Sequence, residues 1–172
     1  MLSSLFTETL SAAKGRSPHR RRQNRTSESS EHALGSWVWL SDCTPKCNCY
    51  VYLRKTFCLP SKPKGASISV AACSKYKLYV NGKYISQGPA RAPQGFYYYD
   101  THDITQALTN DENVVALLVH YFGVDTYAGP AGKPGLNCRI DIELEDERLC
   151  IRTDETWLAR PAEEWTGHGG RI

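Results

Sequence analysis

Acidic side chains occur in close pairs that could do acid–base chemistry, which requires carboxylates directed at one substrate. Asp141 and Glu143 lie two residues apart in an alternating segment, so they share a strand face at roughly 7 Å from each other. Charged residues opposite an apolar face are typical of the solvated side of a sheet. We therefore interpret this pair as surface residues.

Two further acidic pairs have structural interpretations. Asp103 is followed three residues later by Gln106, which is the spacing of a capping box, so we expect Asp103 to cap a short helix. Asp100 is expected to accept bonds from backbone amides at the end of a strand. Asp154 and Glu155 fit a turn equally well. No pair is assigned as catalytic.

Cysteines provide the candidate metal site. Cys43, Cys47 and Cys49 are closely spaced, but a structural zinc site needs a second pair of Cys or His, and none is visible. The seven cysteines also match no disulfide scaffold. We expect free thiols, no metal and no cofactor. His102 is interpreted as an exposed turn residue and His120 as a hydrogen-bonded strand residue.

Positive charge is concentrated near the N-terminus. The formal net charge is +3, and six of the 21 Lys and Arg lie between Lys14 and Arg25. The balanced remainder argues against a nucleic-acid or anionic-membrane partner. Residues 1–35 are rich in Ser and Arg, so we expect a disordered tail. No apolar run predicts a membrane span or a signal peptide, which favours the cytoplasm.

Beyond this tail, short apolar segments are separated by turn residues. Residues 50–59 are aromatic and β-branched, and residues 114–122 are apolar on both faces, as expected of a central strand. Residues 66–72 and 135–144 alternate with period two, which predicts half-buried strands. Their predicted inward side chains are Ala66, Ile68 and Val70 in the first and Leu136, Cys138, Ile140, Ile142 and Leu144 in the second.

Asn81-Gly82 stands between two alternating runs and predicts a β-hairpin. A type I′ turn needs positive φ at both central residues, which Asn and Gly tolerate best. A two-residue loop would pair Val80 with Lys83, Tyr79 with Tyr84 and Leu78 with Ile85. Seven or eight such strands with one short helix predict an all-β sandwich over residues 36–172. The strand count leaves jelly roll and other strand orders open.

Several segments follow one another in a characteristic order: Trp37-Val-Trp39, YVYLRKTF, KLYVNGKYISQGPAR, YYYDTHDIT, NVVALLVHYFG and TDETW. From about Trp37 to Trp165 this order resembles the N-terminal region of bacterial-type alpha-L-rhamnosidases, glycoside hydrolase family 78. The GPAR block followed by DTHDIT is the most particular part. The resemblance implies a jelly-roll-like (galactose-binding-like) sandwich that packs beside a large helical catalytic barrel.

That barrel lies several hundred residues downstream in the family, so the resemblance implies a non-catalytic accessory domain with no hydrolysis of its own. A rhamnose-containing glycan is the implied ligand. Sugars bind aromatic faces beside hydrogen-bonding side chains, and the candidate contacts are Arg91, Tyr97, Asp100 and Trp157. Trp157 and Trp165 are also expected in an apolar patch where the barrel docks.

Two other function classes stay open. A stand-alone lectin-like module would bind sugar without any catalytic partner. A module that only mediates protein contacts would bind a partner and show no response to sugar.

Overall fold

The structure is a computed structural model that describes residues 11–12, 14–15, 34–41, 47–90, 92, 97–125 and 132–165. These residues form strands and one helical turn. The strands are β1 Ser11–Ala12, β2 Lys14–Gly15, β3 Val38–Trp39, β4 Cys49–Cys58, β5 Gly65–Cys73, β6 Lys75–Val80, β7 Lys83–Gly88, β8 Asp100–Asp103, β9 Glu112–Tyr121, β10 Gly135–Glu143, β11 Arg148–Arg152 and β12 Leu158–Pro161.

The strands form two antiparallel sheets. Sheet A has the order β1-β12-β4-β9-β6-β7, and sheet B has the order β2-β3-β10-β5-β8, with β11 also paired to β10. The predicted central strand is confirmed, because β9 pairs with β4 on one side and with β6 on the other. The predicted all-β, jelly-roll-like sandwich is confirmed.

Apolar side chains from both sheets fill the space between them. All the inward side chains predicted for β5 and β10 are buried, and Leu53, Ile68, Leu117 and Ile140 have no exposed surface. Burying a side chain of this size contributes about 1.5–3 kcal/mol. The period-two pattern therefore identified the buried face of each strand.

The hairpin between β6 and β7 forms with the predicted turn. Asn81 and Gly82 have φ of 49° and 77°, as a type I′ turn requires. Tyr79 pairs with Tyr84 as expected, but Leu78 pairs with Ser86, so the prediction for Ile85 is wrong. A bulge places one extra residue in β7 at this point, which an alternating pattern does not reveal.

The predicted short helix is a single 3-10 turn at Thr105–Ala107. Asp103 does accept a bond at its start, from the N–H of Thr105 to Oδ1 at 2.8 Å. Ile104, however, occupies the N-cap position, so the capping box predicted with Gln106 is wrong in register.

Little of the predicted tail is described. Within it, β1 pairs with β12 of sheet A, and β2 pairs with β3 of sheet B. Most other residues of 1–35 lie outside the described residues, and their disorder stays a prediction. The described part of the chain contains no helix with the length and apolar character needed to cross a membrane.

The outer faces of the two sheets differ in chemistry. On sheet B, Asp141 pairs with Arg139 at 2.7 Å and Glu143 pairs with Arg148 at 3.0 Å, in agreement with a surface role for these acids. The outer face of sheet A carries an apolar and aromatic cluster. Its buried residues are Tyr52, Ala116, Leu118 and Ala162, with Tyr50 and Tyr79 packed beside them.

Candidate functional site

A cleft of about 920 Å³ lies at the end of sheet A where β6 begins and β7 and β9 end, and it extends to β8 of sheet B. The outer face of sheet A forms one wall, and Gly88, Pro89 and Ala90 form the bend between the sheets. Its polar and aromatic lining side chains include Tyr50, Lys75, Tyr76, Lys77, Asp100, His102, His120 and Trp165. We call this site the β7–β8 cleft.

A hydrogen-bonded group of three side chains forms the β8 end of the cleft. The Tyr76 hydroxyl donates to Oδ2 of Asp100 at 2.9 Å and lies 2.9 Å from Nε2 of His102. Because the hydroxyl has a single proton, Nε2 of His102 must be the donor in the second bond. Burial, followed by the bond to Asp100 and its charge, raises the pKa of Tyr76 far above the ordinary 10.0. The hydroxyl therefore stays protonated.

Strand pairing explains how these three side chains meet. Asp100 pairs with Val70 and His102 with Ile68, so both polar side chains lie on the inward face of β8. They point across the sandwich to Tyr76, which is 2% exposed.

Gly88 permits this close approach of the sheets. A Cβ atom at Gly88 would lie 2.1 Å from Oδ2 of Asp100 and 2.9 Å from the hydroxyl oxygen of Tyr76. A side chain there would displace the carboxylate, so glycine is needed at this end of β7.

Aromatic rings line the sheet A wall. Tyr50 stacks on His120 with centroids 4.0 Å apart, and it lies 5.8 Å from Trp165 at an interplanar angle of 31°. Nε2 of His120 is 2.7 Å from Oδ1 of Asn48, and burial lowers the pKa of His120 below the ordinary 6.5. The wall thus presents apolar ring surface, and Trp165 is 42% exposed.

Two lysines stand on the same wall, on the outward side of β6. Nζ of Lys75 donates to the Pro89 carbonyl at 2.6 Å, and Nζ of Lys77 lies 5.0 Å from the Trp165 ring centroid. Nε1 of Trp165 donates to the hydroxyl oxygen of Tyr52 at 2.8 Å, which holds the ring over the sheet. The cleft therefore combines ring faces, ammonium groups and one carboxylate.

The residues predicted to contact sugar are not brought together. Asp100 lines the cleft, but it binds the Tyr76 hydroxyl, so the expected bonds to backbone amides are wrong. Tyr97 is 47% exposed and packs on Trp37 at 4.8 Å, outside the cleft lining. Arg91 lies outside the described residues.

The prediction that Trp157 is a surface residue is wrong. Trp157 is 0% exposed, and its Nε1 donates to the Arg152 carbonyl at 3.0 Å. It can contact neither a sugar nor a docked domain, because core packing occupies its whole surface. Trp165 of the same expected patch is exposed.

The predictions for the histidines and cysteines also differ in outcome. His120 is hydrogen-bonded in β9 as predicted, whereas His102 is part of the group around Tyr76 and not a free turn residue. Cys47 is exposed and Cys49 half-buried, while Cys43 lies outside the described residues. Across the part of the chain that is described, no three His, Cys, Asp or Glu side chains lie together as metal ligands would.

Most of the cleft was not predicted from the sequence. Lys75 and Lys77 alternate with the buried Tyr76 and Leu78 in β6, and Tyr50 occupies the outward position of β4 beside His120. The alternation in KYKLYV contained this signal. It could not show that three strands place these residues side by side.

Comparison with known proteins agrees with this architecture. The profile of the family described as "Alpha-L-rhamnosidase N-terminal domain" matches residues 61–166. The GH78 family rhamnosidase of Bacillus sp. GL1 superposes with a TM-score of 0.65 and 31% identity, over 74% of this chain and 13% of that chain. The Streptomyces avermitilis alpha-L-rhamnosidase gives a TM-score of 0.60 and 18% identity, over 77% of this chain and 13% of that one.

A fungal lectin shares the fold. The apo form of the Pleurotus ostreatus lectin has a TM-score of 0.58 and 24% identity, over 76% of this chain and 35% of that chain. No curated protein sequence matches this chain.

The fold and the cleft define a jelly-roll-like β-sandwich domain. The chain belongs to the alpha-L-rhamnosidase N-terminal domain family. It spans 13% of the length of the two matched rhamnosidases.

Proposed function

We propose that this chain is a non-catalytic accessory domain of an alpha-L-rhamnosidase-like glycoside hydrolase and that carbohydrate contacts the β7–β8 cleft. The observation that carries the proposal is the exposed Trp165 ring beside Tyr50, in the same cleft as the Asp100 carboxylate. A ring surface and a hydrogen-bonding group in one cleft suit a molecule with one apolar face and several hydroxyls.

The aromatic wall supports the first half of this contact. Pyranose rings present C–H groups on one face, which pack on aromatic side chains as other apolar groups do. Trp165 is positioned by its bond to Tyr52 rather than by complete burial, so it offers a fixed surface at little entropic cost.

Asp100 supports the second half. Its Oδ2 accepts a hydrogen bond from the Tyr76 hydroxyl, which fixes the position of the carboxylate in the cleft lining. A carboxylate has about four lone-pair sites, so acceptor positions remain for sugar hydroxyls.

The acidic residues of the cleft lining argue against hydrolysis by this chain. Glycoside cleavage by most families needs two carboxyl groups that flank the scissile bond. Among the described residues lining the cleft, Asp100 is the single carboxylate.

The outer face of sheet A also has a structural role in this proposal. Tyr84 at 54% exposure and Tyr79 extend the apolar outer face of sheet A away from the cleft. A surface of this kind suits the remainder of a longer enzyme, with the catalytic barrel as the expected partner. Tyr84, rather than Trp157, is the exposed ring for this contact.

Titration with a rhamnose-containing oligosaccharide tests the proposal. Binding should change the intrinsic tryptophan fluorescence, and Trp165→Ala should weaken it about tenfold or more, since an aromatic platform contributes on the order of 1–3 kcal/mol. Tyr98→Ala is the control, because Tyr98 is 49% exposed and does not line the cleft. Turnover of an aryl rhamnoside by this chain, or equal loss in both variants, would overturn the proposal.

A stand-alone lectin-like module is the second candidate. The Pleurotus ostreatus lectin, solved also in complex with GalNAc, has the same fold at 24% identity. This role predicts comparable affinity for GalNAc and for rhamnosides. Competition between the two sugars in the same titration separates the candidates.

A further inference from the structure

We propose that the β7–β8 cleft takes an acidic saccharide, with the carboxylate of a uronate-type residue held by Lys75 and Lys77. This inference rests on the proposed carbohydrate contact and specifies its ligand class. It follows from the positive charges on the cleft wall, with which a neutral sugar would form no ion pair.

The two ammonium groups project from one face of one strand. Lys75 and Lys77 are two residues apart in β6 and both are half-buried, with Tyr76 between them pointing into the core. Lys75 donates one bond to the Pro89 carbonyl, and an ammonium group has two further protons to donate. Partly buried charges are screened less by salt than exposed ones, so they attract an anion more strongly.

The opposing charge in the cleft is already engaged. Asp100, the single carboxylate among the described lining residues, accepts a hydrogen bond from the Tyr76 hydroxyl on the β8 side. The two lysines stand on the sheet A side, next to the aromatic wall. The described lining therefore leaves an excess of one positive charge, and that excess lies where a sugar ring would stack.

Trp165 lies where stacking on a ring and pairing with a positive charge can occur together. Lys77 lies 5.0 Å from its ring centroid, a cation–π contact that holds the ammonium group over the ring. A pyranose packed on the exposed part of the Trp165 ring would bring an exocyclic carboxylate close to Lys77. A neutral sugar gains only the stacking contact, whereas a uronate gains an ion pair in addition.

Trigalacturonate and its fully methyl-esterified form are suitable probes, because they share every ring and hydroxyl and differ in charge. Titration at low salt should give a dissociation constant about tenfold lower for the acid than for the ester. The difference should shrink at 0.5 M NaCl, where screening acts within a few ångströms.

Variants locate the effect. Lys77→Gln and Lys75→Gln should each reduce the preference for the acid by roughly fivefold, with thermal midpoints close to that of the unaltered chain. Lys83→Gln is the matched control, because Lys83 is exposed at the far end of the hairpin and does not line the cleft. A similar reduction in Lys83→Gln would overturn the inference, since net charge would then explain the preference.

The other outcomes are equally decisive. Equal affinity for the acid and the ester would overturn the inference and leave the carbohydrate proposal standing. Absence of binding by trigalacturonate, its ester and the rhamnose-containing oligosaccharide would overturn both.

Discussion

Replacement of Tyr76 by Phe removes the hydroxyl that joins Asp100 to His102 while keeping the buried ring. Hydrogen bonds to charged groups contribute about 1.5–3 kcal/mol. Asp100 and His102 are only half-buried, so water can replace part of the lost contact. We therefore expect the free energy of unfolding at pH 7 to fall by about 1.5 kcal/mol, which lowers the thermal midpoint by ~5 °C.

The same variant has a distinctive response to alkaline pH. The pKa of Tyr76 is raised in the folded state, so above the ordinary value of 10.0 the unfolded chain loses this proton and the folded chain keeps it. Stability of the unaltered protein must then fall as pH rises through this window, by up to about 1.4 kcal/mol per pH unit from this group. The variant lacks the group, so its deficit should shrink between pH 10 and 11.

Urea denaturation at pH 7, 9, 10 and 11 measures both effects, with Tyr84→Phe as the control. Tyr84 is 54% exposed, so loss of its hydroxyl should change stability by less than about 0.5 kcal/mol. The reasoning is refuted if Tyr76→Phe matches this control at pH 7, or if its deficit stays constant to pH 11.

Two further predictions concern the loop before β9 and the aromatic wall of the cleft. Asn113 is 0% exposed, and its side-chain amide bonds both the N–H and the carbonyl of Thr109. Asn113→Ala should therefore lower the free energy of unfolding in urea by about 3 kcal/mol. The control is Asn110→Ala at an exposed position, which should lower it by less than about 0.5 kcal/mol. A loss below 1 kcal/mol would contradict this. Burial lowers the pKa of His120, so the unfolded chain binds more protons below pH 6.5 and stability should fall as pH drops through that value. A His120→Gln variant should flatten this decline, and parallel profiles for the two proteins would argue against it.

The fold was largely predictable because each strand carries its own local signal. Alternation in residues 66–72 and 135–144 identified the buried faces, and Asn81-Gly82 identified the turn, since only a few residues tolerate its backbone angles. The bulge after Leu78 was not predictable, because it depends on how β7 meets its partner and not on either strand alone.

The cleft was predictable only in part because it is formed across strands. Asp100 was identified from its aromatic neighbours, but its partner Tyr76 is reached across the sandwich. Trp157 shows the opposite error: a tryptophan near the end of the sequence suggested a surface, whereas its ring fills the core. Residue type alone does not distinguish a platform from a core residue, because both need large rings.

The pairing of β1 and β2 has a consequence for where this domain begins. Ser11–Ala12 lies along the outer edge of β12 in sheet A, and Lys14–Gly15 lies along the outer edge of β3 in sheet B, so one short segment covers both sheets on the same side. A chain that started at residue 36 would leave two rows of backbone N–H and C=O groups without partners. Open rows of this kind recruit strands from neighbouring molecules, and self-association would then accompany the loss of a segment that the composition suggests is dispensable.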